Sequence, residues 1–308
     1  MSIILWLVQI ILVPALSPLG VGLTRKMKAK LQNRKGASVF QPYYDLWKLF
    51  HKDEVVSKDA SWVFNIAPTI IFAVTLFVGA SIPLFASFLG NALTGDMLVI
   101  VYTLAIGTFF LALAGMDTGS AFGGFGSSRE MTISALAEGG FIFALLTVAL
   151  RGNSTNVFTI SETALSSFSY DSLPIILAFL GFFVVLLAET ARFPFDNPAT
   201  HLELTMVHEA MILEYSGKKL ALLEWASANK LLIFATLGTN LFFPLGIAQS
   251  ADPKAILIGV IAFLVKVFVV YVVIAMIESC MAKFRFFRLP DLLIVSFILS
   301  CVAIALLQ

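Results

Sequence analysis

The ionisable residues of this sequence are concentrated in one stretch, 189–217, which reads ETARFPFDNPATHLELTMVHEAMILEYSG. The stretch follows directly on an apolar run and contains a single arginine, Arg192, and two of the three histidines of the chain, His201 and His208. Charge at the edge of hydrocarbon is costly and usually faces protein or a water-filled cavity. We therefore expect this stretch to form part of a polar site. Its carboxylates are Glu189, Asp196, Glu203, Glu209 and Glu214.

Further ionisable side chains lie inside or beside runs that are apolar enough to cross a membrane. Glu130 directly follows Arg129, so the two point to different faces of a helix, and Glu138 lies about two turns further into hydrocarbon. A carboxyl group there either stays neutral and hydrogen-bonded or carries protons, and such residues are functional candidates by default. We interpret Glu138 as a step in a proton path. The same interpretation extends to Glu278 and to Lys266, although Lys266 could instead snorkel or pair with a carboxylate.

The sequence lacks the motifs that bind several common cofactors. It contains no Walker motif, no dinucleotide-binding GxGxxG followed by an acidic residue, and no HExxH. His201 and His208 would lie roughly 10 Å apart along a helix, too far for one metal ion. Cys280 and Cys301 lack the spacing of a zinc or iron–sulfur site. We therefore predict no metal site, no redox cofactor and no catalytic residue in this chain alone.

The composition predicts an all-α integral membrane protein. Of the 308 residues, 59% are hydrophobic and 13% are charged, whereas about 25% of the residues in a soluble domain are charged. No internal repeat or linker divides the chain, so we expect a single membrane domain over residues 1–308. Apolar runs of the length that crosses a bilayer predict eight spans, at about 2–23, 63–90, 97–116, 132–150, 172–189, 229–248, 254–278 and 289–307.

The basic residues are distributed unevenly between the two sides of these spans. Most of the 20 Lys and Arg lie in the first, third, fifth and seventh connections, and only Arg151 and Lys254 lie in or beside the others. The positive-inside rule therefore places two large connections, 24–62 and 190–228, in the cytoplasm and both termini outside. The net charge of only +1 conceals this asymmetry. We expect a lipid bilayer and no nucleic acid as partners.

The first two odd connections carry local signals of their own. Basic residues cluster over 24–36, where they could bind anionic lipid or set the topology. The stretch 37–54 has an uneven apolar face that includes Phe40, Tyr44 and Trp47 and that indicates an amphipathic helix on the membrane or under a partner. The glycines at 119, 123, 124 and 126 predict a loop that turns tightly or lets a partner approach.

Three motifs in order along the chain resemble those of one protein family. The resemblance is to the eight-helix membrane-anchor subunit of the respiratory complex I superfamily, which includes membrane-bound nickel–iron hydrogenases and formate hydrogenlyases. Each motif is weak alone, but together they span most of the chain at the expected span boundaries. They are Gln32-Asn-Arg34-Lys-Gly36 followed by Gln41, Asp45, Lys48 and Leu49; Gly126-Ser-Ser-Arg129 with Glu138; and Glu189-Thr-Ala-Arg192 with Pro194-Phe195-Asp196, ending in Glu214-Tyr215-Ser216-Gly217.

Two details make the chain more similar to the hydrogenase and formate hydrogenlyase branch. The interval from Gly36 to Gln41 is short, and Asp117-Thr-Gly-Ser120 is typical of that branch. The resemblance implies an anchor in the cytoplasmic membrane of a prokaryote. It would dock a hydrophilic arm through residues of the cytoplasmic connections and adjoin antiporter-like membrane subunits. The expected docking residues are Arg34, Lys35, Gln41, Asp45, Lys48, Arg129 and Arg192.

Iron–sulfur clusters and a nickel–iron centre would then belong to the partner subunits of the arm, including a hydrogenase-like large subunit. The carboxylates of the chain would start a proton path toward the antiporter-like subunits. Two alternatives remain open: a subunit that shapes a quinone chamber, with quinone at the interface, and a stand-alone ion transporter. The expected proton-path residues are Glu138, Glu189, Asp196, Glu130, Glu203, Glu209, Glu214, Glu278 and Lys266.

Overall fold

Helices make up most of the protein in its computed structural model, which describes residues 2–90, 94–166, 173–196 and 206–307. A short 3-10 helix, Phe286–Arg288, directly precedes the last α-helix of the chain. The helices are α1 (Ser2–Leu31), α2 (Gln41–Phe50), α3 (Trp62–Ala80), α4 (Met97–Asp117), α5 (Ala121–Gly152), α6 (Val157–Ser166), α7 (Leu173–Glu189), α8 (His208–Ile212), α9 (Gly217–Phe242), α10 (Pro253–Cys280) and α11 (Leu289–Ala305).

The long helices confirm the predicted all-α membrane architecture. Within the described residues, 7 helices are long and apolar enough to cross a membrane: α1, α3, α4, α5, α9, α10 and the segment that ends with α11. The apolar helix α7 is shorter, at 17 residues, and occupies the place of the remaining predicted span. Together these helices overlap all eight apolar runs of the sequence, although α3 and α9 end before the second and sixth runs do.

The helix α9 is the centre of the packing. Its most apolar window is 67% buried, more than that of any other long helix in the described chain. It contacts α1, α3, α7 and α10. Phenylalanine rings fill the core beside it, and the ring of Phe234 lies 5.2 Å from that of Phe141 and 6.2 Å from that of Phe182. Polar side chains in the middle of α9, such as Asn229, Lys230 and Asn240, are therefore held inside the protein.

The second predicted span, 63–90, is wrong in its second half. The helix α3 ends at Ala80, and residues 81–89 form a largely buried segment without helical structure. The Asn240 side chain donates to the carbonyls of Pro83 and Leu84, each at 2.7 Å. Irregular backbone at membrane depth is tolerated only where protein satisfies its polar groups, and Asn240 of α9 does so here.

The glycine-rich loop predicted between the third and fourth spans is also wrong. The helix α5 begins at Ala121 and includes three of the four glycines, and only Gly119, with φ +66°, lies in the turn. Two of these glycines serve close packing within the chain. A Cβ on Gly123 would lie 2.1 Å from the Gly115 carbonyl oxygen of α4, and a Cβ on Gly126 would lie 2.8 Å from the Val207 carbonyl oxygen and 2.9 Å from the Ala210 Cβ. The lack of a side chain at Gly126 therefore lets α5 approach the start of α8.

The first helix contains two prolines, and side chains of α9 and α2 bond carbonyls beside the second of them. Pro18 has no N–H to donate to the carbonyl four residues earlier. That carbonyl, of Pro14, accepts a hydrogen bond of 2.9 Å from the Trp225 indole N–H instead. The Tyr43 hydroxyl donates to the next carbonyl, of Ala15. These two bonds attach α1 to α9 and α2.

The amphipathic helix predicted within 37–54 is confirmed as α2. Phe40, Tyr44 and Trp47 are 57%, 66% and 70% exposed on its outer side. Phe50 points the other way, and its ring lies 6.1 Å from that of Trp225 in α9. The predicted apolar face is thus divided between the outer surface and the packing of α2 against the membrane helices.

Candidate functional site

A row of polar side chains runs along one face of α5. Glu130, Ser134 and Glu138 follow one another at intervals of four residues, a spacing that aligns them about 6 Å apart along a helix. Glu130 is buried and Glu138 is half-buried. The row therefore carries two carboxyl groups down the inward side of a membrane helix.

An ion pair between α7 and α9 lies beside the middle of this row. The Lys230 Nζ atom is 2.8 Å from one carboxylate oxygen of Glu189, and both side chains are largely buried. The second oxygen of Glu189 accepts from the Ser134 hydroxyl at 3.4 Å. Lys230 also reaches the Thr108 hydroxyl of α4, at 3.4 Å. The contacts of the Glu189–Lys230 pair thus connect α4, α5, α7 and α9 beside the row that contains Glu130 and Glu138.

A small cavity of about 40 Å³ opens between these side chains. Thr108, Glu130, Glu189, Ser227 and Lys230 line it. A water molecule needs about 10–15 Å³ of such volume and two to four polar partners. The cavity meets both conditions, so it can hold water between the carboxylates and the lysine.

A second, larger cavity of about 640 Å³ lies next to the first, and we call it the charged chamber. Thr190, Ala191, His208 and Ser227 line both cavities, so the two adjoin at these residues. The charged chamber is built from α1, α2, the segment after α7, α8, α9 and α10. Its charged lining comprises Arg25, Lys28, Arg34, Asp45, Arg192, Asp196, Glu209, Glu224 and Glu278.

Asp196, which follows α7, binds the start of α8. Its carboxylate, 3% exposed, accepts from the backbone N–H groups of Val207 at 3.2 Å and His208 at 3.0 Å. The Lys283 Nζ atom lies 2.6 Å from its other oxygen. A carboxylate at a helix N-terminus satisfies N–H groups that have no partner within the helix, so Asp196 determines where α8 begins.

Two titratable groups on α8 have shifted pKa values. Burial lowers the pKa of His208 to about 4, although Asp196 opposes the shift, so this imidazole is neutral at pH 7. Burial, together with the like charges of Glu224 and Asp196, raises the pKa of Glu209 to about 7, and Arg25 opposes that shift. Glu209 is therefore close to half ionised at neutral pH, at the wall of the charged chamber.

The remaining predicted proton-path residues lie apart from the Glu189–Lys230 pair. Glu278 is in the charged chamber, where it pairs with Lys28 and Arg192, and Glu214 is exposed. Lys266 bonds the Asn240 side chain, at 2.6 Å. Because Asn240 is ten residues beyond Lys230 on α9, Lys266 is about 15 Å away from the pair along the helix axis. Glu203 and His201 lie outside the described residues.

The predicted docking residues fall into an exposed and an internal group. Arg34, Lys35 and Lys48 are exposed, and Gln41 donates to Asp45 at 2.9 Å on the surface of α2. Arg129 and Arg192 are used within the chain. Arg129 donates to the Met206 carbonyl at 3.2 Å and lies over the Phe286 ring at 5.7 Å, and Arg192 pairs with Glu278.

Sequence reasoning missed the partner of Glu189 and most of the chamber. In the sequence Lys230 is only a charge within a span, and nothing distinguishes Lys28, Glu224 and Lys283 from other charged residues. A lysine inside an apolar helix is itself a signal, since charges in membrane segments usually face the interior of the bundle. Within the described residues, no group of three or more His, Cys, Asp and Glu side chains could hold a metal ion.

Comparison with known proteins gives relatives along the whole chain. The sequence is 33% identical to hydrogenase-4 component C of Escherichia coli (strain K12) over 301 residues, 98% of this chain and 94% of the relative. Formate hydrogenlyase subunit 4 of the same organism is 31% identical, with 92% of each chain covered. A subunit of the NADH-quinone oxidoreductase of Paraburkholderia phymatum is 26% identical over 82% of this chain and 74% of the relative.

Among solved structures, the fold matches a chain of the membrane-bound sulfane sulfur reductase, an archaeal respiratory membrane complex, with a TM-score of 0.86. The match covers 100% of this chain and 99% of the other, at 19% identity. The profile of the NADH dehydrogenase family matches residues 2–308. These findings confirm the resemblance to the complex I superfamily that the three motifs predicted. The chain therefore belongs to the NADH dehydrogenase family.

Proposed function

We propose that this chain is the membrane-anchor subunit of a proton-translocating oxidoreductase of the membrane-bound hydrogenase or formate hydrogenlyase type. It docks the hydrophilic redox arm on its cytoplasmic side and begins a proton path into the membrane. The relatives support the hydrogenase type, since the identity to hydrogenase-4 component C is 33% and that to the NADH-quinone oxidoreductase relative is 26%.

The observation that carries the proton path is the Glu189–Lys230 pair between two cavities. The charged chamber adjoins the small cavity, and the small cavity reaches the row formed by Glu130, Ser134 and Glu138 on α5. Carboxyl groups, a lysine and enclosed water are the elements from which intramembrane proton relays are built. A proton entering through the charged chamber would pass Glu209, Glu130 and Glu189 before reaching Glu138.

The docking role is supported by the surface around the mouth of the charged chamber. Arg34, Lys35 and Lys48 are exposed there or on the adjoining α2, and they could pair with carboxylates of a partner subunit. Arg192 and Arg129 would act differently, by holding the connections of this chain in the shape that the arm recognises. The partners would be the iron–sulfur and hydrogenase-like large subunits, with antiporter-like subunits in the membrane.

The test uses Glu138→Gln and Glu189→Gln in the assembled complex. Each substitution keeps the shape of the side chain and removes its titration. We expect the arm and its redox centres to stay bound, while the number of protons moved per electron in sealed vesicles falls by about tenfold or more, the range expected for a positioned proton carrier. Glu162→Gln on α6, which lines neither cavity, is the control. Normal pumping by both site variants would refute the path.

A second candidate function is that of a subunit that shapes a quinone chamber. The charged chamber favours it, because its volume of about 640 Å³ falls in the range of 300–1,000 Å³ that small-molecule sites occupy. Solvent extraction of the purified complex distinguishes the two. Quinone retained at about one molecule per complex and lost on Arg192→Ala would favour this candidate, and a complex without quinone that still evolves hydrogen would exclude it.

A further inference from the structure

Lys230 is the cation that faces the small cavity. Among the described residues that line it, Lys230 is the sole side chain that is positively charged at neutral pH, because His208 is neutral there. The carboxyl groups around the cavity come from two helices, with Glu189 on α7 and Glu130 on α5. Glu138 also interacts electrostatically with both Lys230 and Glu189. One positive charge is therefore shared by three carboxyl groups.

The lysine has both the room and the partners to change position. Its ammonium group is 2.8 Å from Glu189 and 3.4 Å from the Thr108 hydroxyl, so a second polar contact already lies beside the first. Lys230 and Glu130 both line the small cavity. A lysine carries its charge on a flexible four-carbon stem with three rotatable donors, so movement of the ammonium group requires no movement of α9.

We propose that Lys230 is a positioning residue that moves between Glu189 and Glu130 and thereby determines which of the two carboxyl groups holds the proton. When the ammonium group is at Glu189, Glu189 is the carboxylate and Glu130 the carboxylic acid. When the proton passes from Glu130 to Glu189 through the cavity, the ammonium group follows the negative charge to Glu130. This inference rests on the proposed proton path and names the residue that determines where the proton is held along it.

The exchange keeps the site neutral. Before and after the transfer it contains one carboxylic acid, one carboxylate and one ammonium group, and one O–H bond forms as another breaks. Because net charge inside a membrane is costly, a proton can move past the site without leaving an unpaired charge. The other groups around the Glu189–Lys230 pair support this role without replacing it. Thr108 of α4 contacts Lys230 and Ser134 of α5 donates to Glu189, and both are neutral hydrogen-bonding groups. Glu138 is the next acceptor along α5.

The experiment compares Lys230→Met with Lys230→Arg in the assembled complex. The methionine variant removes the charge and keeps the length, so protons moved per electron should fall by about tenfold or more, as for a lost relay group. The arginine variant keeps the charge and should retain part of the pumping. The matched control is Lys219→Met on the same helix, whose lysine pairs with Glu54 at 3.3 Å outside the site and whose loss should leave pumping unchanged.

A double variant separates positioning from packing. If Lys230 acts through Glu189, Lys230→Met combined with Glu189→Gln should pump no worse than Glu189→Gln alone. The double variant also leaves no unpaired carboxylate at Glu189, so it should assemble even if Lys230→Met does not. Infrared difference spectra give a readout independent of activity. Lys230→Met should add a carboxylic-acid C=O band at neutral pH, and the double variant should lack it.

The outcomes distinguish this inference from the path on which it rests. Normal pumping by Lys230→Met, with Glu189→Gln and Glu138→Gln impaired, would overturn the role of Lys230 and leave the path standing. Additive losses in the double variant, or a C=O band that the double variant retains, would also overturn it. Normal pumping by Glu189→Gln and Glu138→Gln would instead refute the proton path itself.

Discussion

Arg192 and Glu278, which are 86 residues apart in the chain, form an ion pair with a distance of 3.2 Å between the guanidinium and a carboxylate oxygen. The other oxygen of Glu278 is 3.2 Å from the Lys28 Nζ atom. One buried carboxylate thus links α1, the segment after α7 and α10 at the wall of the charged chamber.

We predict that Arg192→Glu destabilises the protein and weakens binding of the hydrophilic arm. Breaking a buried ion pair by removing one partner costs about 3–5 kcal/mol. Lys28, which still pairs with Glu278, reduces this cost, whereas repulsion between Glu278 and the new carboxylate adds to it. The melting temperature of the purified complex and the recovery of the arm measure the two effects. Arg288→Glu, at an exposed position, is the control. Wild-type values for Arg192→Glu would show that the pair supports neither stability nor docking.

The bond between Trp225 and Pro14 leads to a second prediction. Trp225→Phe keeps an aromatic ring against Phe50 and Phe72 but leaves the Pro14 carbonyl without its donor. An unsatisfied buried acceptor costs about 1–3 kcal/mol, so the melting temperature should fall while the helix content stays the same. Trp47→Phe, at an exposed site on α2, should change neither. Equal melting temperatures for the two variants would contradict the account of α1.

The positions of most helices could be predicted because the length and polarity of an apolar run decide whether it crosses a membrane. The end of α3 could not. Its last predicted turns are replaced by an irregular segment whose carbonyls depend on Asn240, a residue of a helix far along the chain. The start of α5 could not be predicted for a related reason: Gly126 indicates a turn in isolation and close packing against α8 in the fold.

The candidate site was predictable in its residue types but not in its pairs. Glu138 and Glu189 were identifiable because a carboxylate near hydrocarbon is unusual. Their relation to Lys230 depends on how α5, α7 and α9 pack, which no spacing in the sequence specifies. The same holds for Glu278, whose two partners, Lys28 and Arg192, come from distant parts of the chain.

Glu209 should make stability depend on pH. Its pKa is about 7 in the folded protein, against an ordinary value of 4.5, so folding favours its protonated form. The stability that results is complete below pH 4.5 and is lost as the pH rises through 7. Relative to Glu209→Gln, the wild type should therefore lose about 1–3 kcal/mol of stability between pH 5 and pH 8. Melting curves of the wild type and Glu209→Gln across this pH range measure the difference. Melting temperatures that change in parallel with pH in the two proteins would contradict the prediction.

The proposed topology places residues 24–62 in the cytoplasm and both termini outside. In a background without Cys280 and Cys301, single cysteines at Ser57 and Ser250, both exposed in the structure, should report opposite sides. An impermeant thiol reagent added to intact cells should label the cysteine at Ser250 and spare the one at Ser57. Labelling of Ser57 alone would reverse the orientation, and permeabilised cells, in which both positions react, provide the control.

Lys266 leads to the last prediction, because its contacts differ from those of Lys230. Its ammonium group donates to the Asn240 side chain at 2.6 Å and to the Phe243 carbonyl at 3.2 Å. These contacts close the C-terminal end of α9, where carbonyls have no partner within the helix. Asn240 also donates to two carbonyls of the irregular segment after α3. Lys266 therefore supports both the C-terminal end of α9 and, through Asn240, that irregular segment.

We therefore predict that Lys266→Met lowers stability and leaves coupling intact. The substitution deprives the Asn240 oxygen and the Phe243 carbonyl of a buried donor, a loss of about 1–3 kcal/mol for each group left unsatisfied. The melting temperature of the complex should fall, while the number of protons moved per electron in vesicles stays at the wild-type value. Lys254→Met, at an exposed position in the first turn of the same helix, should alter neither quantity. Reduced pumping by Lys266→Met at an unchanged melting temperature would instead place this lysine in the proton path.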